Sequence, residues 1–226
     1  MSILYVVGTP IGNMKDITYR AVEVLKEVDI VACEDTRQSR KLLDHYGIEK
    51  RTLSCRARNE ENSAKGIVKL MDEGADVAYL TDAGTPGISD PGSVLVSHVR
   101  NAGHDIYPLP GPSAFASLIS IAGIGGKTYL FEGFLPQKPG KRRKRLVELM
   151  EREESFVLYE SPFRIIKLLT ELSEIDNDRV VVVGREMTKA FEEYKSATPK
   201  ELIFLLEKEN SVKGEFSVLV SGKKKT

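Results

Sequence analysis

Three groupings in this chain have residue types and spacing that suit chemistry. Glu34-Asp35-Thr36-Arg37 sets two carboxylates and a guanidinium side by side at the end of an apolar run. Carboxylates at the carboxyl end of a strand accept protons or hold cations, and α/β proteins collect such groups there. The same residues also suit a helix start, with Asp35 or Thr36 as the cap. The second grouping, Thr81 to Gly92, holds three glycines and two prolines in twelve residues. A loop that long and irregular after a strand exceeds what a plain connection needs, so it is expected to hold a ligand. The third, Lys138 to Arg145, puts six cations into eight residues. Its place at a helix start, where positive charge is unfavourable, points Lys141, Arg142, Arg143 and Arg145 toward RNA phosphates. Tyr159-Glu160-Ser161-Pro162, Arg185-Glu186 and Lys189 to Glu193 put further polar groups at strand ends.

The elements that position these groups follow from hydrophobic period. Ile3 to Val7 reads as a buried strand running into Gly8-Thr9-Pro10-Ile11-Gly12-Asn13. That loop lacks the G-x-G-x-x-G spacing, and Pro10 removes an amide, so it is a weak dinucleotide signal. Strands are expected at Asp29–Cys33, Arg51–Ser54, Asp76–Leu80 and His104–Leu109, with helices between them. Asp16 or Thr18 would cap the first helix. The alternation predicts a first lobe, 1–122, with a mostly parallel sheet. Gly123 to Thr128 imitates the end of a P-loop but has Ile121 where that motif needs glycine, and it reads as a hinge. In the second lobe, 123–226, strands are expected at Tyr129–Leu135, Phe156–Tyr159, Arg179–Gly184, Phe191–Ser196 and Phe216–Val220. Helices are expected at Arg143–Arg152, Pro162–Leu172 and Pro199–Leu206, and adjacent strands there predict a mixed sheet. The fold class is therefore α/β in two lobes, with a cleft between them for a ligand.

Composition narrows the partners. The chain has 226 residues, 41% hydrophobic and 29% charged, the profile of a globular protein. Its 33 basic and 33 acidic residues cancel, so any nucleic-acid surface must be a local cluster. Cys33 and Cys55 have neither disulfide nor metal-site spacing, and His45 has no second ligand at helical spacing, so no metal is expected. With no signal-like start and no apolar run of spanning length, a soluble cytoplasmic protein is expected. Lys223-Lys224-Lys225 reads as a tail.

The set Gly8 to Asn13, Glu34 to Arg37, Asp82 to Gly92 and Pro110 to Ala114 resembles the tetrapyrrole methylase superfamily. Glu132 to Pro136, Tyr159 to Pro162 and Thr188 to Glu193 are similar to its ribosomal RNA small subunit methyltransferase I branch. The branch usually carries histidine before Asn59-Glu60, where this chain has Arg56 and Arg58. The resemblance implies methyl transfer from S-adenosylmethionine to a cytidine 2′-hydroxyl of small-subunit ribosomal RNA, free or in an assembled subunit, by a homodimer. It also implies that Pro10, Asp82, Ala83, Gly84, Thr85, Ile88, Ser113, Ala114 and Tyr159 line the cofactor pocket. Asp35 and Glu34 are then candidates for the proton acceptor, Arg37 for orienting them or gripping phosphate, and Lys189 for stabilising an alkoxide. Two other readings use the same features: methylation of a tetrapyrrole or protein side chain, and a non-catalytic RNA-binding module.

Overall fold

The computed structural model describes residues 1–209 and 211–223, so Lys224 and Lys225 of the expected tail lie outside the described residues. The chain divides into two compact units, Met1–Ser113 and Ala114–Thr226.

The first unit runs β1 (Ile3–Val7), α1 (Tyr19–Glu27), β2 (Ile30–Cys33), α2 (Thr36–His45), β3 (Arg51–Ser54), α3 (Glu60–Asp72), β4 (Val77–Leu80), α4 (Ser93–Asn101) and β5 (Asp105–Leu109). Its strands form one parallel sheet in the order β3-β2-β4-β1-β5. β2 and β4 are buried at every residue, which explains their unbroken apolar sequences. Successive side chains on a strand face opposite ways, and the core splits accordingly. Val31, Cys33, Ala78 and Leu80 pack with Ala21 and Leu25 of α1 and Leu42 and Leu43 of α2. Ile30, Ala32, Val77 and Tyr79 pack with Ala64, Ile67 and Met71 of α3 and Leu95 and Val99 of α4. Each valine, leucine, isoleucine or methionine among them contributes about 1.5–3 kcal/mol relative to exposure. Thr18 caps α1, accepting from Ala21 N at 3.2 Å, so of the two expected caps it is the hydroxyl that serves. Both cysteines are free and buried, and burial pushes the Cys55 thiol up to about 12.

The chain leaves β1 toward one edge of this sheet and leaves β4 toward the other. β1 and β4 are neighbours, yet the helices that follow them cover opposite faces. Such a reversal opens a crevice at the carboxyl ends of the two strands, the usual ligand position in open α/β sheets.

The second unit runs α5 (Ala114–Ala122), β6 (Tyr129–Phe134), α6 (Pro139–Met150), β7 (Ser155–Glu160), α7 (Ile165–Ile175), β8 (Val181–Arg185), β9 (Glu193–Ala197), α8 (Pro199–Lys208) and β10 (Phe216–Val220). Its sheet is mixed, in the order β6-β7-β10-β8-β9, with only β6 and β7 parallel. Leu146, Leu149, Leu168, Leu172, Leu202 and Leu206 cover one face, and α5 packs against β8 and β10. The division therefore falls before α5, not after it, because Leu118 is buried in the second unit's packing. Gly123 to Thr128 is a connection inside that unit, not a hinge between units. Two helix starts also differ from expectation. α6 begins at Pro139, where a fixed φ and a missing N–H suit the first turn. α7 begins at Ile165, after a turn through Pro162 and Phe163. Among the described residues no helix is long and apolar enough to cross a membrane.

Candidate active site

The loops after β1 and β4 meet at the reversal. Thr9 N donates to Gly84 O at 2.8 Å and Gly84 N to Thr9 O at 3.1 Å, a short antiparallel bridge. Gly84 takes φ +80°, which only glycine adopts without strain, so this bridge depends on that residue. On the other side Gly8 N donates to Leu109 O at 3.0 Å, and a Cβ on Gly8 would stand 2.8 Å from Gly111 Cα. The glycine at position 8 thus serves contact between two loops of the protein itself. Thr85 Oγ1 donates to Pro112 O at 3.4 Å, tying the β4 loop to the segment that carries Ser113. Pro10, Asp82, Gly84, Thr85 and Ser113 accordingly belong to one rim of the first unit, with Ala83 and Ile88 exposed on it. Beneath the loop, Thr81 is 2% exposed and its Oγ1 has no hydrogen-bond partner.

Glu60 anchors the far end of the loop. One buried carboxylate oxygen, Oε1, accepts from Gly92 N at 2.9 Å and from Val94 N and Leu95 N at 3.1 Å. It supplies the cap that Gly92, lacking a side chain, does not give α4.

The acids of the β2 loop divide into two kinds. Asp35 caps α2, its Oδ1 accepting from Arg37 N at 2.9 Å and Arg37 Nε at 3.2 Å, while Oδ2 accepts from Arg37 Nη2 at 2.7 Å. Those bonds hold its carboxyl well below the usual range. Glu34, Asp82 and Asp90 go the other way, because burial penalises their charge and neighbouring acids repel it. Asp82 Oδ1 accepts from Asp35 N at 3.2 Å, linking the two loops. Arg56 Nε donates to Glu34 O at 3.3 Å. Glu34, Asp35, Asp82, Arg37, Arg56 and Arg58 line an open cavity of about 350 Å³. Asp90, Arg56 and Glu60 were not among the expected site residues. The Arg56-to-Asn62 polar tract was the available signal for two of them.

Asp90 has a consequence for stability. Burial, then Glu34 and Asp82, raise its carboxyl from 3.8 to about 6. A raised acid favours the folded state while protonated, and that advantage is lost as pH climbs between the unfolded and folded values. Wild-type stability relative to Asp90→Asn is therefore expected to fall from about pH 4 to about pH 6. Paired thermal melts from pH 4 to 8 check this, and a difference that stays flat with pH contradicts it.

In the second unit, Lys189 Nζ donates to Glu186 Oε1 and Glu215 Oε2, both at 2.9 Å. Burial opposes its charge, but those hydrogen bonds prevail and its pKa is raised. Lys189 is thus a fixed cation on a turn where Glu186 and Thr188 take positive φ. Tyr159 stacks edge-on with Phe131 at 5.1 Å, and its hydroxyl accepts from Phe115 N at 3.2 Å. Ala114 opens α5.

The basic run is mostly committed elsewhere. Arg142 is 2% exposed, with Nη1 on Glu160 at 2.9 Å and Nε on Glu171 at 2.8 Å, so it is not a phosphate ligand. The reason is helical spacing: residues 142, 146 and 149 share the stripe that α6 turns inward. Arg145 grips Glu132 at 2.6 Å and Arg143 pairs with Glu174 at 2.9 Å. Lys141 alone of the four expected ligands is exposed and carries no ion pair among the described residues.

Comparison with known proteins places this fold. The family model described as tetrapyrrole (corrin/porphyrin) methylases matches residues 3–203. A protein of Borrelia garinii subsp. bavariensis named ribosomal RNA small subunit methyltransferase I is 48% identical over 220 residues, 97% of this chain and 98% of its own. A Thermotoga maritima protein of the same name is 43% identical, with 99% and 100% covered. Among solved structures, a cobalt precorrin-4 methyltransferase of cobalamin biosynthesis superposes with a TM-score of 0.71 at 19% identity, covering 97% of this chain and 94% of the other. Uroporphyrin-III-C-methyltransferase from Thermus thermophilus gives 0.68 at 16%, covering 98% and 94%. The fold is shared with those two, and the near full-length identity goes further: the chain belongs to the tetrapyrrole (corrin/porphyrin) methylase family, in its ribosomal RNA small subunit methyltransferase I branch.

Proposed function

We propose that this protein transfers a methyl group from S-adenosylmethionine to the 2′-hydroxyl of a cytidine in small-subunit ribosomal RNA, as a cytoplasmic homodimer. The observation that carries the reading is 48% identity, over nearly both whole chains, to a relative named for methylating that RNA.

The residues suit the methyl donor. Glu34, Asp82 and Asp90 repel one another and complement a cation brought among them. Thr81 Oγ1 is an unsatisfied buried hydroxyl below the same loop. Pro10, Asp82 to Thr85, Ile88 and Ser113 of the first unit are the proposed contacts. Backbone amides and carbonyls in a glycine-alanine loop hold an adenosine without charged side chains. When bound, S-adenosylmethionine supplies a methyl group on a positively charged sulfur.

The chain's own part is to orient the ribose and manage its proton. Glu34 is the proposed acceptor of the hydroxyl proton, because its raised pKa makes it a stronger base than Asp35. Asp35 and Arg37, locked together, stiffen the start of α2 and leave the guanidinium exposed for a phosphate. Lys189 is held charged by Glu186 and Glu215, which suits it to meet negative charge and not to accept a proton.

The test offers labelled S-adenosylmethionine with small ribosomal subunits from an undermodified strain, beside the same RNA stripped of protein. Label at one cytidine ribose is expected. Binding of the donor without transfer to either sample redirects the search to tetrapyrroles or protein side chains. Absence of donor binding overturns the enzyme reading.

A further inference from the structure

The sequence Tyr159 to Arg164 contains a feature that the reaction does not use. Phe163 stands 94% exposed, on a turn the protein holds rigidly. Glu160, its side chain 1% exposed, does the holding. Its Oε1 accepts from Ser161 N and from Arg164 Nε, each at 2.8 Å, and its Oε2 from Arg142 Nη1 at 2.9 Å. Arg164 N and Ile165 N close the turn on Ser161 O at 3.0 and 3.1 Å. A backbone held this way loses little further entropy on binding, which is how preorganised contact sites gain affinity.

A second ring stands at the carboxyl end of the neighbouring strand. β6 and β7 are parallel, and Phe134 pairs in register with Tyr159, so both strands end there. A bulge between Phe131 and Gly133, with Gly133 at φ +71°, re-aims the next residue. Phe134 is left 55% exposed, its ring edge-on to Tyr159 at 5.8 Å.

Exposed lysines sit near the starts of the helices that follow these two strands. Arg142 N bonds Lys138 O at 2.9 Å, and Arg142 reaches Glu160, so the first turn of α6 is tied to the base of the Phe163 turn. Lys138 and Lys141 on that turn, and Lys167 one helical turn beyond Phe163, are all exposed. None has an ion pair among the described residues, whereas Arg142, Arg143 and Arg145 all do. Flat apolar rings beside unpaired lysines match the two faces of single-stranded nucleic acid, bases and phosphates.

We propose that the Phe163 turn is a stacking platform for an unpaired base of the RNA substrate, with Phe134 beside it and Lys138 and Lys141 on the adjoining phosphates. This rests on the ribosomal RNA reading and adds where that RNA is gripped. It is recognition by stacking and charge, and it carries no demand for one base over another.

The experiment uses the full chain with two readouts, steady-state methylation of small subunits and affinity for a fluorescent oligouridylate. Phe163→Ala is expected to raise KM and weaken oligouridylate binding about 5- to 150-fold, with kcat and donor affinity unchanged. Phe163→Trp restores binding and Phe163→Leu does not, because stacking needs a π-face. Lys141→Ala lowers the salt dependence of binding by about one phosphate contact. Phe163 is exposed, so these variants keep the wild-type melting midpoint. Unchanged KM and affinity in Phe163→Ala, with wild-type transfer intact, overturn the platform and leave the reaction standing. Rescue by leucine, or a changed oligomeric state with RNA binding intact, also overturns it and makes Phe163 a protein contact. Wild-type protein that neither methylates subunits nor binds the oligonucleotide overturns both readings.

Discussion

Glu34→Gln is expected to lower kcat for methyl transfer at saturating S-adenosylmethionine by about 10²–10⁴-fold, the usual loss when a general base is removed. The case for Glu34 over its neighbour is electrostatic. Both carboxylate oxygens of Asp35 are occupied by Arg37, and a carboxylate so well satisfied is a poor proton acceptor. Glu34 is half-buried, its acid form favoured by burial and by Asp82, and Arg56 bonds its carbonyl rather than its carboxylate. Asp35→Asn keeps a helix cap of equal quality and loses the grip on Arg37. It should raise KM for RNA more than it lowers kcat. The pH dependence separates the two: the acid limb of the kcat profile should vanish in Glu34→Gln and persist in Asp35→Asn. Full activity in Glu34→Gln with loss in Asp35→Asn would reverse the assignment.

Much of the first unit was legible because its signals are local. β2 and β4 are short apolar runs ending in polar residues, and burial at every position is what such runs mean in a parallel sheet. The break between units was not legible, since it depends on which sheet receives Leu118, and the glycine run at 123–126 offered a more conspicuous but mistaken boundary. The same limit applies in the candidate site. Adjacent acids beside Arg37 were visible, but that Arg37 folds back to occupy both oxygens of Asp35 is tertiary geometry. Glu60 looked like one more charge in a polar tract, because its three amide partners lie on another helix and loop. Arg142 is the contrary case. Its spacing to Leu146 and Leu149 was in the sequence, and the density of charge around it outweighed that pattern.

Arg142→Ala should destabilise the protein by about 3–5 kcal/mol, read as a lower urea midpoint, because it leaves two acids facing a site built for a guanidinium. Glu160 is 1% exposed and would keep only Arg164 and Ser161 N as partners, while Glu171 would lose its bond to Arg142 Nε. Part of the network is already imperfect, since Arg142 Nη2 is buried without a partner. The penalty therefore comes from stranding the carboxylates, not from losing an ideal bridge. Lys141→Ala, one residue away and exposed, should change stability by no more than about 0.5 kcal/mol. Its effect should appear in RNA affinity at low salt. A basic run of this kind thus has two separable functions, an inward cation that sets the turn carrying Phe163 and outward lysines left free for phosphate. If Arg142→Ala instead weakened RNA binding at unchanged stability, the inward assignment would be wrong, and the whole run would have to be treated as one phosphate-binding surface.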